Sequence, residues 1–208
     1  GWRQDFRAKV ADRPLHRARN GYSPKPDPKR RCLGSGGSVG AIPHTPGTIG
    51  QGETGGLCVL KGIDNRLNAE VLGVLRAMGH GDVLIVADTN FPADSVARAT
   101  VTGKLLRMED LTAAEALNAI LTALPLDTFV DDFAGRMEVV GAPDEVPAVQ
   151  AEVQAEIDRA EGKPRKMVGI ERFAFYDMAR ASYAVIQTGE RRFYGCFMVR
   201  KGVIPPEA

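Results

Sequence analysis

Cysteine is scarce in this 208-residue chain: Cys32, Cys58 and Cys196 stand far apart and form no CxxC pair. An odd count leaves one thiol over in any disulfide scheme, which argues against a disulfide-stapled secreted scaffold and for a reduced, cytoplasmic setting. Histidine is equally rare, at three residues, and only His80 lies in patterned sequence. With no second imidazole beside it, a zinc or iron centre is not expected, and no residue is read as a metal ligand. No apolar run approaches the roughly 18 residues of a membrane span. The amino terminus, GWRQDFRAKV, has no apolar signal core. Charge of one sign is missing too: the net is +1, which gives no general pull toward nucleic acid or an anionic membrane. A serine elbow between a strand and a helix, an HExxH pair, a kinase set and a dinucleotide fingerprint after a strand are all absent. GSGGSVG lacks the Lys-Ser/Thr of a phosphate loop and has no strand before it or helix after it.

What is present divides near residue 58. Ahead of it, KPDPKRRCLGSGGSVG and IPHTPGTIGQGETGG are Gly- and Pro-rich, basic and without apolar period. Such sequence buries too little to offset its chain entropy. Residues 1–58 therefore read as a disordered extension, or as sequence ahead of a native start at Val59. The rest, residues 59–208, alternates helix and strand signals. Asn68 reads as the N-cap of a helix carrying Val71, Leu72, Leu75 and Met78 on one face. DVLIVAD is a buried strand. Thr112 and Glu115 form a capping box ahead of Leu117, Ile120, Leu121 and Leu124. RMEVV is a short strand, and VPAVQAEVQAEIDRAEG is a helix ended by Gly162 and Pro164. MVGIERF reads as a strand and AFYDMARAS as a short helix. YAVIQTG and RRFYGCFMV flank Gly189-Glu190 as a hairpin. The alternation predicts one α/β domain with helices packed on a central sheet.

The chemistry-bearing residues are few. His80, between Gly79 and Gly81, lies at a helix end where outward-pointing carbonyls favour a protonated ring. It reads either as a proton shuttle or as an idle imidazole in a helix cap. Asp88 ends the strand LIVAD, at the edge where ligands gather in open α/β sheets; the other reading is an Asp that caps the turn before Phe91-Pro92. Asp82 reads as a turn residue. In IERFAFYDMARASYAV, Arg172 can hold oxygens in fixed geometry and Tyr176 offers a phenol. Tyr194, beside Gly195, is either an ordinary strand tyrosine or a contact for a flat ligand. With no redox group and no covalent nucleophile, this inventory suits proton transfer on a small polyhydroxylated ligand.

The motifs LKGI, AMGHGDVLIVADTNFPA, LPLDTFV, IERFAFYDMARASYAV and TGERRFYGCFMVRKGV occur in this order over nearly all of Val59 to Val203. The chain resembles the fucose branch of the fucose mutarotase/ribose pyranase (RbsD/FucU-like) family. That resemblance implies cofactor-free exchange of the α and β anomers of L-fucose or a similar aldose. It implies His80 as proton donor, Tyr176 as a catalytic tyrosine, and Asp88, Asp127 and Arg172 at the sugar. Tyr194 and Cys196 match the ends of a Tyr-Gly-Asn triplet, with Cys196 standing where the family has Asn. A thiol is a weaker donor and acceptor than an amide, so one sugar contact is expected to be lost or moved. The family also implies ring-like homo-oligomers, decamers in bacteria, with a neighbouring copy completing the site. Two alternatives stay open: pyranose–furanose exchange on D-ribose, and a non-catalytic sugar-binding subunit.

Overall fold

The strand VLIVA carries no polar residue, so it needs partners on both edges and cover on both faces, and the fold is arranged around it. The computed structural model describes residues 60–206; the expectations for residues 1–58 lie outside them. In chain order the elements are α1 (Ala69–Ala77), β1 (Val83–Ala87), α2 (Ala93–Ala97), β2 (Leu105–Met108), α3 (Ala113–Leu121), β3 (Ala134–Met137), α4 (Ala148–Glu161), β4 (Val168–Ile170), α5 (Arg172–Ala181), β5 (Ala184–Thr188) and β6 (Phe197–Arg200). The six-stranded sheet has the order β2-β5-β1-β6-β3-β4. β1 pairs parallel to β5 and antiparallel to β6. Since β5–β2 and β3–β4 are parallel and β3–β6 is antiparallel, β6 alone runs against the other strands.

Strand pleating sends alternate side chains to opposite faces. Leu84 and Val86 join the core that holds Val71 and Leu75 of α1, Leu117 and Ile120 of α3, and Val153 and Ile157 of α4. Ile85 and Ala87 face the core that holds Val96 of α2 with Phe175 and Ala179 of α5. The sheet is thus covered by three helices on one face and two on the other, as an α/β domain requires.

Local signals fix several boundaries. Asn68 accepts from Val71 N at 3.0 Å to cap α1. Thr112 and Glu115 form the expected capping box on α3. Gly162, with φ 67°, ends α4 in the left-handed conformation that glycine adopts without strain. Two expectations are corrected. The strand read over MVGIERF stops at Ile170, because the Glu171 carboxylate accepts from Phe173 N and Ala174 N, at 2.7 and 3.1 Å, and opens α5. β5 and β6 do not form a hairpin: β1 lies between them. Residues 189–196 instead cross the carboxyl end of β1, where Thr89 N donates to Glu190 O at 2.8 Å.

That crossing is held by a buried carboxylate. Glu190, 3% exposed, accepts from Arg192 N, Nε and Nη2 at 3.0, 2.9 and 2.8 Å. Arg192 also grips Glu152 on α4 through both of its terminal nitrogens. The Arg192 side chain, together with its own backbone N–H, holds the Glu190 carboxyl down at about 2 against a usual 4.5. A depressed carboxyl contributes stability above its unfolded pKa and loses it as pH falls toward the folded value. Allowing for the solvent-exposed half of Arg192, the contribution is about 2 kcal/mol. Urea midpoints should hold steady above about pH 5 and fall between 4.5 and 2, with Glu190→Gln removing about 2 kcal/mol of that acid dependence. Identical acid dependence in both proteins would contradict the assignment.

Candidate functional site

The strand that centres the sheet also separates the predicted site residues into two groups. His80 lies ahead of β1 and Asp88 directly after it, and five strand residues span about 17 Å. Because β6 is antiparallel, its carboxyl end returns beside His80: Gly81 N donates to Lys201 O at 2.8 Å and Lys201 N to Asp82 O at 2.9 Å.

At this amino edge, His80 Nε2 donates to Asp127 Oδ2 across 3.0 Å. Asp127 is 2% exposed, whereas the imidazole is 47% exposed. Asp127 Oδ1 accepts from Phe129 N at 3.0 Å. That N–H, followed by the His80 side chain, lowers the Asp127 carboxyl below its ordinary range, so it stays an acceptor. A buried carboxylate thus fixes one ring nitrogen of His80 and leaves Nδ1 for proton exchange. Phe129 also packs edge-on to the ring at 5.7 Å. The carbonyls at the end of α1, expected to act on His80, are taken instead by Lys201 Nζ, which donates to Leu75 O and Met78 O at 2.7 and 2.5 Å. Asp82 is the turn residue expected, accepting from Gly79 N at 2.7 Å.

At the carboxyl edge the remaining residues gather. Asp88, 4% exposed, accepts from Asn90 N and Phe91 N at 2.9 and 3.0 Å through Oδ1, and from Gly195 N at 3.2 Å through Oδ2. Asp88 therefore caps the turn ahead of Phe91-Pro92, and it does so from the end of the strand. Gly195 is required there, since a Cβ would lie 2.7 Å from Glu190 Cγ and 3.2 Å from Asp88 Cβ. Tyr194 before it has φ 62°, a conformation costing a non-glycine residue about 1–2 kcal/mol. Its hydroxyl accepts from Val140 N at 3.2 Å. Cys196 is buried, and burial, with the Asp88 charge beside it, pushes its thiol well above the usual range. Tyr176, half-buried on α5, stacks on Phe91 with ring centroids 5.2 Å apart. Arg172, one turn earlier on the same helix, is exposed and makes no ion pair among the described residues; its guanidinium lies over Phe173 at 4.8 Å.

Within one chain, then, the predicted site residues fall into two groups, His80 and Asp127 at the amino end of β1 and Asp88, Arg172, Tyr176, Tyr194 and Cys196 at its carboxyl end. Neither the cleft of about 360 Å³ beside α4 nor that of about 210 Å³ between α3 and α4 is lined by any of them. Among the described residues, no group of three or more His, Cys, Asp or Glu could hold a metal ion. None of their helices is long and apolar enough to cross a membrane. The pairing of His80 with Asp127, which lies far along the chain, and the stacking of Phe91 on Tyr176 escaped residue-level reading, because spacing carries no signal for either.

Residues 61–204 match the profile of the RbsD / FucU transport protein family. The chain is 40% identical over 154 residues to a fucose mutarotase of Danio rerio, covering 73% of this chain and 98% of that protein. The crystal structure of protein Atu2016, described as a candidate sugar-binding protein, superposes with a TM-score of 0.70 at 61% identity, covering 72% of this chain and 99% of the other. A fucose mutarotase from Streptococcus pneumoniae, solved in complex with L-fucose, superposes with a TM-score of 0.63 at 32% identity, covering 70% of this chain and 100% of the other.

Proposed function

The chain belongs to the RbsD / FucU transport protein family, and on that premise we propose that it interconverts the α and β anomers of L-fucose by cofactor-free acid/base catalysis. The observation that carries this reading is the His80–Asp127 pair, an exposed imidazole anchored by a buried carboxylate. Relatives named fucose mutarotase, together with one solved holding L-fucose, support the choice of sugar.

Anomer exchange needs a proton delivered to the ring oxygen while the anomeric hydroxyl loses one. The bond from C1 to the ring oxygen then breaks, the open aldehyde turns about C1–C2, and reclosure on the other face returns both protons. His80, held through Nε2, delivers the proton from its free nitrogen. Tyr176, whose hydroxyl both donates and accepts, passes the second proton. Asp88 keeps acceptor capacity for a sugar hydroxyl, because a carboxylate has about four lone-pair sites and three backbone N–H groups occupy it here. Arg172 and Tyr194 offer further polar contacts from the same edge. Asp127 acts through His80 rather than on the sugar. Cys196 packs behind the Tyr194 turn and supplies volume in place of an amide contact.

A second copy completes the site. The two halves lie at opposite ends of β1, and each edge exposes apolar side chains: Phe129, 71% exposed, beside His80, and Phe173 and Phe193, 64% and 75% exposed, on the rim that carries Arg172 and Tyr194. Joining the amino edge of one copy to the carboxyl edge of the next covers both patches and brings His80 to Tyr176. Such a head-to-tail contact closes into a ring when its rotation permits. We place the reaction in the cytoplasm, where the free thiol of Cys196 stays reduced.

Magnetisation transfer between the anomeric protons of L-fucose tests the assignment. Transfer is expected with the protein present and not without it, and more strongly than with D-ribose. Calorimetric binding of fucose with no transfer would replace this reading with a non-catalytic sugar-binding subunit.

A further inference from the structure

Tyr194 holds a left-handed backbone conformation, φ 62°, that its own side chain does not favour, so something must hold it there. Asp88 holds Gly195 N on one side of it, and the polar groups that meet Tyr194 itself trace back to one fully buried side chain. Gln150 of α4 is 0% exposed and lies on the helix's apolar stripe with Val149, Val153 and Ile157. Its Nε2 donates to Tyr194 O at 3.1 Å and to Met137 O at 2.7 Å. Its Oε1 accepts from Arg136 Nη1 at 3.0 Å. Arg136, itself buried, also donates from Nη1 to Glu145 O at 3.2 Å and from Nη2 to Pro143 O at 2.9 Å. It makes no ion pair among the described residues, and these hydrogen bonds tie its guanidinium to Gln150 and to the loop between β3 and α4. That loop carries Val140, whose N–H meets the Tyr194 hydroxyl at 3.2 Å. Both ends of Tyr194 are thereby tied to one buried amide and one buried guanidinium.

We propose that Gln150, fixed by Arg136, is a positioning residue that sets the backbone turn of Tyr194 and so the carboxyl-edge half of the sugar site. The functional consequence rests on the assignment of Tyr194 to that site; the control of the turn does not. Gln is the residue type the geometry asks for, because one planar group must donate to two carbonyls while accepting from a cation. A buried amide with any of these bonds unmade is unfavourable, so the network tolerates few alternative turn geometries.

The test is Gln150→Glu, which keeps an acceptor for Arg136 and deletes both N–H donors. Amide hydrogen exchange in peptides spanning 138–146 and 189–196 is expected to quicken about ten-fold, with β1 and α3 unchanged. KM for L-fucose is expected to rise several-fold while kcat changes less. The double variant Arg136→Met/Gln150→Leu removes the amide and the guanidinium together, so neither is left buried and unpaired, while the carbonyls of Met137, Tyr194, Pro143 and Glu145 lose their donors. It is expected to melt cooperatively, below wild type, and to show the same local exchange and the same rise in KM. Wild-type protection at 189–196 in either folded variant would overturn the proposal, as would a wild-type KM in the double variant. Hydrogen exchange reads the turn without any sugar, so a wild-type protein that failed to exchange fucose anomers would sink the mutarotase reading and leave this result standing.

Discussion

His80→Ala is expected to slow anomer exchange of L-fucose by about 10²–10⁴-fold, the range a well-placed general acid contributes. On the barrier scale this is roughly 3–5 kcal/mol. The fold should survive, because the ring is half exposed and makes one side-chain hydrogen bond. Asp127→Asn is the informative companion. Asparagine still accepts from Phe129 N, but its charge is gone and its amide can turn an N–H toward the ring, favouring the wrong tautomer. Its effect should therefore fall on kcat more than on KM. Saturation-transfer rates for the three proteins measure both effects, and a His80→Ala protein that exchanges at the wild-type rate would remove His80 from the mechanism.

Asp88→Ala should carry the largest cost to the fold. Three backbone N–H groups, of Asn90, Phe91 and Gly195, converge on this one buried carboxylate. Alanine removes this acceptor from all three, leaving Phe91 N only a long 3.4 Å bond to the Asp88 carbonyl, at about 3–5 kcal/mol in total, since hydrogen bonds to a charged acceptor are the strong ones and their losses overlap. For a domain of this size that lowers the melting temperature by about 10 °C. Asp88→Asn should cost about half as much, because the amide oxygen still serves one pair of donors while its NH2 opposes another. Both variants should lose exchange activity, as the 194–196 turn is pinned by the same carboxylate. Calorimetric melting separates the stability loss from the rate loss; a melting temperature within about 2 °C of wild type for Asp88→Ala would contradict the role drawn here.

Much of the fold was legible in the sequence. Asn68, the Thr112–Glu115 box and Gly162 act through backbone groups within a few residues, so their signals are local. The strand VLIVA declared itself by an unbroken apolar run. β2 did not: LLRM is four residues long at the sheet edge, with Arg107 facing solvent and breaking the run. The hairpin reading of β5 and β6 failed for a different reason. Two β-rich segments around a Gly look alike whether they pair with each other or flank a third strand, and here burial of β1 decided the matter.

The candidate site residues stood out by type and not by arrangement. His80 and Asp88 sit eight residues apart in one motif, which reads as proximity. An intervening strand turns that spacing into separation, placing them at opposite edges of the sheet. Asp127 has no local mark as the partner of His80. Gln150 did leave one, a glutamine on an apolar helix stripe, where an unpaired amide would be costly and a partner must exist.

The central claim is that one copy supplies His80 and its neighbour supplies Tyr176. Chains carrying His80→Ala and chains carrying Tyr176→Phe, each nearly inactive alone, can be co-expressed in equal amounts so that they assemble together. In a head-to-tail assembly about one quarter of the junctions then join an intact amino edge to an intact carboxyl edge. The account predicts that the mixture recovers about a quarter of wild-type exchange; a mixed assembly no more active than the average of its two parents would contradict it.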